Sequence, residues 1–80
     1  MAVLRLFAQA REAAGRARDT VDGATVDEVL ADARARYGDG FAALLPNCRI
    51  WLNGEPAQGD DPVTADDEVA VLPPVSGGDS

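Results

Sequence analysis

Apolar and polar positions alternate from the start of the chain. In the row AVLRLFA, from Ala2 to Ala8, Leu4, Leu6 and Ala8 fall on one side and Val3, Arg5 and Phe7 on the other, which predicts a strand. Gln9 to Ala14 favours helix and Gly15 follows as a stop, so a short helical connection is expected there, with a second, weaker strand over Arg18 to Asp22. Thr25-Val26-Asp27-Glu28 has the form of a capping box, in which the Thr hydroxyl and the Glu carboxylate three residues on satisfy free backbone donors at a helix start. Val26, Val29, Leu30, Ala33 and Tyr37 then recur at helical spacing as one apolar stripe, while Asp27, Asp32, Arg34 and Arg36 fall mostly off it. Gly38 ends this main helix.

A loop is expected next, marked by Asp39-Gly40 and Pro46, before the β-rich run CRIWLN from Cys48 to Asn53. Asn53-Gly54 predicts a tight turn. Glu55 to Asp67 is polar and broken by Pro56, Gly59 and Pro62, with room for one short strand. Glu68 to Leu72 alternates as a last strand, and Pro73-Pro74 stops it because neither residue can donate to a ladder. The order predicts an α+β domain: a mixed sheet of four to five strands packed on one main helix.

Composition narrows the chemistry. The 80 residues suit a single domain, and their formal charge of −7 disfavours nucleic acid and anionic membranes as partners. A partner protein with a basic face fits that charge better. All seven cations are Arg, so no side-chain amine is available for isopeptide or Schiff-base chemistry. Without His, and with Cys48 alone, the chain lacks ordinary zinc sites, a Ser-His-Asp triad and a Cys-His pair. A lone cysteine and the absence of a long apolar run point to a reducing, cytoplasmic setting.

The chemistry-bearing segment is then the tail. Pro73-Pro74 favours an extended segment leaving the sheet, and Ser76-Gly77-Gly78 has so little side-chain bulk that it can thread a narrow channel in a partner. Residues 1–75 are read as the domain and 76–80 as a flexible Gly-Gly tail carrying a two-residue extension. LFAQAREAAG at Leu6 to Gly15, Asn53-Gly54, and DDEVAVLPPVSGG at Asp66 to Gly78 resemble the small subunits of molybdopterin synthase, within the ubiquitin-like β-grasp family of ThiS and MoaD type.

That resemblance implies a carrier cycle. A ubiquitin-activating-type adenylating enzyme would use ATP to convert the Gly78 carboxylate to an acyl-adenylate, and sulfur would displace AMP to leave a thiocarboxylate. The large subunit of molybdopterin synthase would then receive the tail, with Gly77 giving clearance, and sulfur would pass to the pterin precursor of the molybdenum cofactor. No permanently bound cofactor is implied, and the chain by itself is a carrier subunit without a catalytic group of its own. Members of this type usually end at the second glycine, whereas here Asp79-Ser80 follow, so a processing peptidase is expected, the rival being an inactive or differently used copy.

Strand parity places Phe7, Trp51 and Leu72 on the outer sheet face if Leu4, Leu6, Ile50, Leu52, Val69 and Val71 are core, forming an exposed patch that suggests a partner interface, and the resemblance implies that Phe7 and Leu72 pack on the large subunit. Pro73, Pro74, Val75 and Ser76 extend that partner-binding surface along the tail. Cys48 shares parity with Ile50 and is read as a small buried hydrophobe; the carboxylate runs Asp60-Asp61 and Asp66-Asp67-Glu68 are read as solvated loop, with no metal assigned. Two other functions remain open: a sulfur carrier for thiamine, cysteine or a secondary metabolite, and a non-covalent ubiquitin-like interaction module that needs no free Gly78. A protein-conjugating modifier is a more distant third.

Overall fold

The computed structural model describes residues 1–74. Five strands, β1 (Ala2–Leu6), β2 (Arg18–Val21), β3 (Arg49–Leu52), β4 (Glu55–Pro56) and β5 (Glu68–Leu72), form one sheet in the order β2-β1-β5-β3-β4. The first and last strands lie side by side and parallel at its centre; the other neighbours are antiparallel. Three helices, α1 (Ala8–Ala14), α2 (Val26–Tyr37) and α3 (Asp39–Leu44), and a 3-10 turn at Leu45–Asn47 complete the α+β arrangement, which is the expected ubiquitin-like β-grasp. No helix among the described residues is long and apolar enough to cross a membrane.

The alternation read from β1 and β5 sets the core. Leu4, Leu6, Val69 and Val71 are at most 2% exposed and pack in one cluster with Val29 and Ala33 of α2. Each such Val or Leu side chain contributes about 1.5–3 kcal/mol when taken fully out of water. Ile50 and Leu52 share that inner face by register but stay half-buried, because β3 is followed only by the two-residue edge strand β4.

Helix α2 begins where the capping box places it. Thr25 Oγ1 accepts from the Glu28 N–H at 3.2 Å, while Glu28 Oε1 accepts from the N–H of Ala24 at 2.8 Å, one residue earlier than the reciprocal arm of an ideal box. The Asn53-Gly54 turn also forms as expected: both residues have positive φ, 52° and 86°, as the two-residue hairpin between β3 and β4 requires.

Two expectations are corrected. The first strand ends at Leu6, and Ala8, placed on the inner side by alternation, is exposed and begins α1 with φ of 50°, a left-handed step that turns the chain out of the sheet. The stretch read as a loop after Gly38 is α3 and the 3-10 turn, and it inserts Phe41, fully buried, and Leu45 into the core. Phe41 meets Tyr37 edge to face, ring centroids 5.1 Å apart.

Candidate functional site

The strand registers set the outer face of the sheet in rows. Arg18 of β2 lies opposite Arg5 of β1, Arg5 beside Ala70 of β5, Ala70 opposite Trp51 of β3, and Trp51 opposite Pro56 of β4. The next row toward the end of β5 holds Leu72 opposite Arg49, and Phe7, still extended and bonded through its N–H to the Val71 carbonyl at 3.3 Å, continues β1 beside Leu72. Phe7, Leu72 and Trp51 therefore occupy one neighbourhood of one face, as their parity requires.

Their exposure differs from a uniformly open patch. Phe7 is 38% exposed, whereas Trp51 and Leu72 are half-buried. Both have neighbours on either side, Ala70 and Pro56 for Trp51, Arg49 and the Phe7 position for Leu72, whereas Phe7 sits past the last β1 pair. The Arg5 guanidinium lies 5.5 Å from the centre of the Phe7 ring, within cation–π range, and its Nη1 is 3.5 Å from Glu68 Oε2. The face therefore offers aromatic and aliphatic surface interleaved with guanidinium groups, a set suited to recognition of another protein.

Strand β5 ends beside these residues. Pro73, half-buried, and Pro74, exposed, follow directly on Leu72 and carry no N–H to continue the ladder. The remaining expected site residues, Val75, Ser76, Gly77 and Gly78, lie outside the described residues, as do Asp79, Ser80 and the expected boundary between residues 75 and 76.

Polar networks elsewhere hold the scaffold. The Asn53 amide donates to Asp67 Oδ1 at 3.0 Å and Asn53 Oδ1 accepts from the Glu68 N–H at 2.9 Å, tying the β3–β4 turn to the start of β5. The Asn53 hydrogen bond, with that from the Thr64 N–H, holds the Asp67 carboxyl below its ordinary range. Cys48 is half-buried, its thiol donating to the Leu44 carbonyl at 3.4 Å, and burial pushes its pKa up, away from a reactive thiolate. An open hollow lined by Leu30, Arg34, Ala42, Leu45 and Pro46 lies on the helical side, and holds none of the residues expected at the site. Among the described residues no group of three His, Cys, Asp or Glu side chains is placed to hold a metal ion.

The sequence placed Arg5 on the side of Phe7 but did not reveal Arg18, Arg49 and Ala70 as members of the same face as Phe7 and Trp51. Parity gives each residue's side of its own strand; which strands are neighbours is decided by the sheet order.

Residues 4–78 match the ThiS family profile. Among solved structures, the chain is similar to SAMP1 from Haloferax volcanii, with 33% identity and a TM-score of 0.77 over 96% of this chain and 98% of that one. It is also similar to the small archaeal modifier protein 1 from Methanosarcina acetivorans, with 27% identity and a TM-score of 0.86 over 96% and 95% of the two chains. A complex of subunits 1 and 2 of the molybdopterin-converting factor from Helicobacter pylori contains a chain of the same fold, with 23% identity and a TM-score of 0.73 over 96% and 97%. No curated protein matches the sequence. The family match spans nearly the whole chain and reaches Gly78, and with the sheet order described above it makes the chain a member of the ThiS family, a ubiquitin-like sulfur carrier of the ThiS and MoaD type.

Proposed function

We propose that this chain is the sulfur-carrying small subunit of a molybdopterin synthase, activated at Gly78. The observation that carries this reading is the extent of the family match, which takes in the Gly77-Gly78 pair and stops there, while the structure sends the chain out of the sheet at Pro73-Pro74, next to an aromatic face. The PPVSGG block and the fold shared with a molybdopterin-converting factor subunit that is paired with a second subunit support the pathway and a large-subunit partner.

In this reading the residues beyond Gly78 are first removed by a peptidase. The freed Gly78 carboxylate attacks the α-phosphorus of ATP on a ubiquitin-activating-type enzyme, releasing pyrophosphate and giving an acyl-adenylate. A sulfur nucleophile at the sulfide level displaces AMP, leaving a thiocarboxylate and AMP. Phe7, Trp51 and Leu72 hold the large subunit while Pro73, Pro74, Val75 and Ser76 guide the tail into its active site. The setting is the cytoplasm.

A second reading keeps the same activated Gly78 but transfers it to an amine of another protein; the 33% identity to a protein named as a small archaeal modifier favours it. Intact-mass spectrometry of the protein from its own cells tests both. Loss of Asp79-Ser80 together with a mass gain matching one carboxylate oxygen replaced by sulfur establishes the carrier. Covalent adducts on lysines of other proteins, without a sulfur-bearing form, establish the modifier. An unprocessed, unmodified chain when molybdenum cofactor is being made rejects both.

A further inference from the structure

The hollow on the helical side, about 410 Å³ in volume, plays no part in the site described above. Its walls are Leu30 of α2, Ala42 of α3, and Leu45 and Pro46 of the 3-10 turn, with Arg34 as the charged residue among them. Arg34 is exposed and forms no ion pair among the described residues. No acidic residue stands three or four positions from it along α2, whereas its neighbour Arg36 is held by Asp32 and Asp19.

The rim of this hollow lies close to where the chain leaves the sheet. Leu72, the last residue of β5, is paired with Arg49, which follows Pro46 by three residues, so the two ends are within about 15 Å. Val75 to Ser80 follow Pro74 in the sequence and span about 20 Å when extended, enough to cross the hollow to Arg34. Their order matches the walls in that direction: apolar Val75 first, then Ser76, Gly77 and Gly78, whose small bulk lets the backbone turn, then the carboxylate of Asp79.

We propose that in the unprocessed chain the segment from Val75 to Ser80 folds back over this hollow, with Val75 against the Leu45 and Pro46 rim and the Asp79 carboxylate on the Arg34 guanidinium. The extension is then a latch that holds Gly77-Gly78 away from partners until Asp79-Ser80 are removed. Charge argues for this occupant: at a formal charge of −7 most of the surface repels Asp79, so a cation without an acidic partner draws it. Arg49 is also within reach, but it stands on the open sheet face where water screens a pair, whereas apolar walls beside Arg34 strengthen one. Tethering raises the effective concentration of the segment to the millimolar range, so a contact too weak to form between separate molecules is populated within one. The withholding of the glycines rests on the carrier reading; the contact itself does not.

The test compares the 80-residue chain with the same chain ending at Gly78, by NMR of the Ala42 and Leu45 amides and methyls at low salt. These signals are expected to differ between the two chains, with the difference shrinking as ionic strength rises. R34E in the full chain should bring them to the positions of the shortened chain, R34E/D79R should restore the difference, and R49E should leave it in place. Calorimetric titration with the large synthase subunit from the same organism reads the latch: the full chain should bind several-fold more weakly than the shortened one, and R34E should remove that gap by tightening the full chain alone. Identical spectra of the two chains overturn the proposal, as does release by R49E in place of R34E. A difference that grows with protein concentration overturns it in favour of a second copy on the hollow, and a binding gap that R34E leaves intact overturns the latch. Failure of both chains to bind the large subunit counts against the carrier reading, while the spectra decide the contact without any partner.

Discussion

The Tyr37 hydroxyl donates to Asp19 Oδ2 at 2.7 Å, joining the last turn of α2 to strand β2 across a separation of 18 residues. Arg36 reaches the same carboxylate oxygen at 3.3 Å and Arg16 at 3.5 Å. Asp19 is held below its ordinary pKa, first by the Tyr37 hydrogen bond, against a smaller opposing effect of burial. Burial, reinforced by Asp19, pushes the Tyr37 pKa upward.

These shifts bracket the stability profile. Asp19 has a lowered folded-state pKa, so its contribution is present above the unfolded value of about 3.9 and is lost as pH falls through the folded value. Tyr37 has a raised one, so its contribution is present below about pH 10 and is lost as pH rises toward the folded value. Y37F should cost about 1 kcal/mol at neutral pH, flatten the alkaline fall and weaken the acid one, measured by urea unfolding from pH 2 to beyond pH 10. An unchanged alkaline limb would contradict the assignment.

Gly23 packs against the backbone of α2: a Cβ there would lie 2.7 Å from the Val29 nitrogen and 2.8 Å from Val29 Cγ2. G23A should therefore destabilise by about 1–3 kcal/mol, as overpacking does, because Val29 is fully buried and cannot withdraw. Wild-type-like denaturant midpoints would show that the chain relaxes there.

Phe41 is fully buried in α3, where Asp39-Gly40 and Pro46 predict a loop. F41A should cost about 3–5 kcal/mol, against a total of about 4–12 kcal/mol for a domain of this size, and F41L much less. Circular dichroism and thermal melts of the two variants separate a core role from a loop role: equal, small losses would mean α3 does not pack.

Trp51 is half-buried on the outer face. If the chain is the small subunit of a molybdopterin synthase, as proposed, W51A is expected to weaken binding to the large subunit by about 2 kcal/mol or more, the scale of an aromatic anchor, while the chain still unfolds cooperatively. Calorimetric titration beside a melt decides it; loss of the folded state alone would assign Trp51 to the scaffold.

Asn53 combines a positive φ with two side-chain hydrogen bonds. N53A should cost about 1–3 kcal/mol by losing both and placing alanine in the left-handed region, whereas N53G, which keeps the backbone freedom, should lose less. Equal costs would assign the position to hydrogen bonding alone.

The local signals in the sequence were of two kinds. Alternation in β1 and β5 and the stripe on α2 identified Leu4, Leu6, Val69, Val71, Val29 and Ala33 as core, because period and burial are tied within one element. Turn and cap chemistry placed Gly15, Thr25, Gly38 and Asn53-Gly54, because those backbone conformations have few suitable residues. Phe41 escaped both, since Asp39-Gly40 and Pro46 punctuate α3 like a loop and six residues are too few for a helical period to emerge.

By itself the sequence determined the order of the strands and of helices α1 and α2, the inner and outer sides of β1, β3 and β5 and, through the block ending at Gly78, the sulfur-carrier family. Only the tertiary structure decided which outer positions meet. The parallel pairing of β1 with β5 joins residues more than 60 positions apart, placing Arg5 beside Ala70 and Phe7 beside Leu72, and the antiparallel pairing with β3 adds Trp51 and Arg49. Strand neighbours are chosen by closure of the whole core, a non-local balance that no single segment encodes.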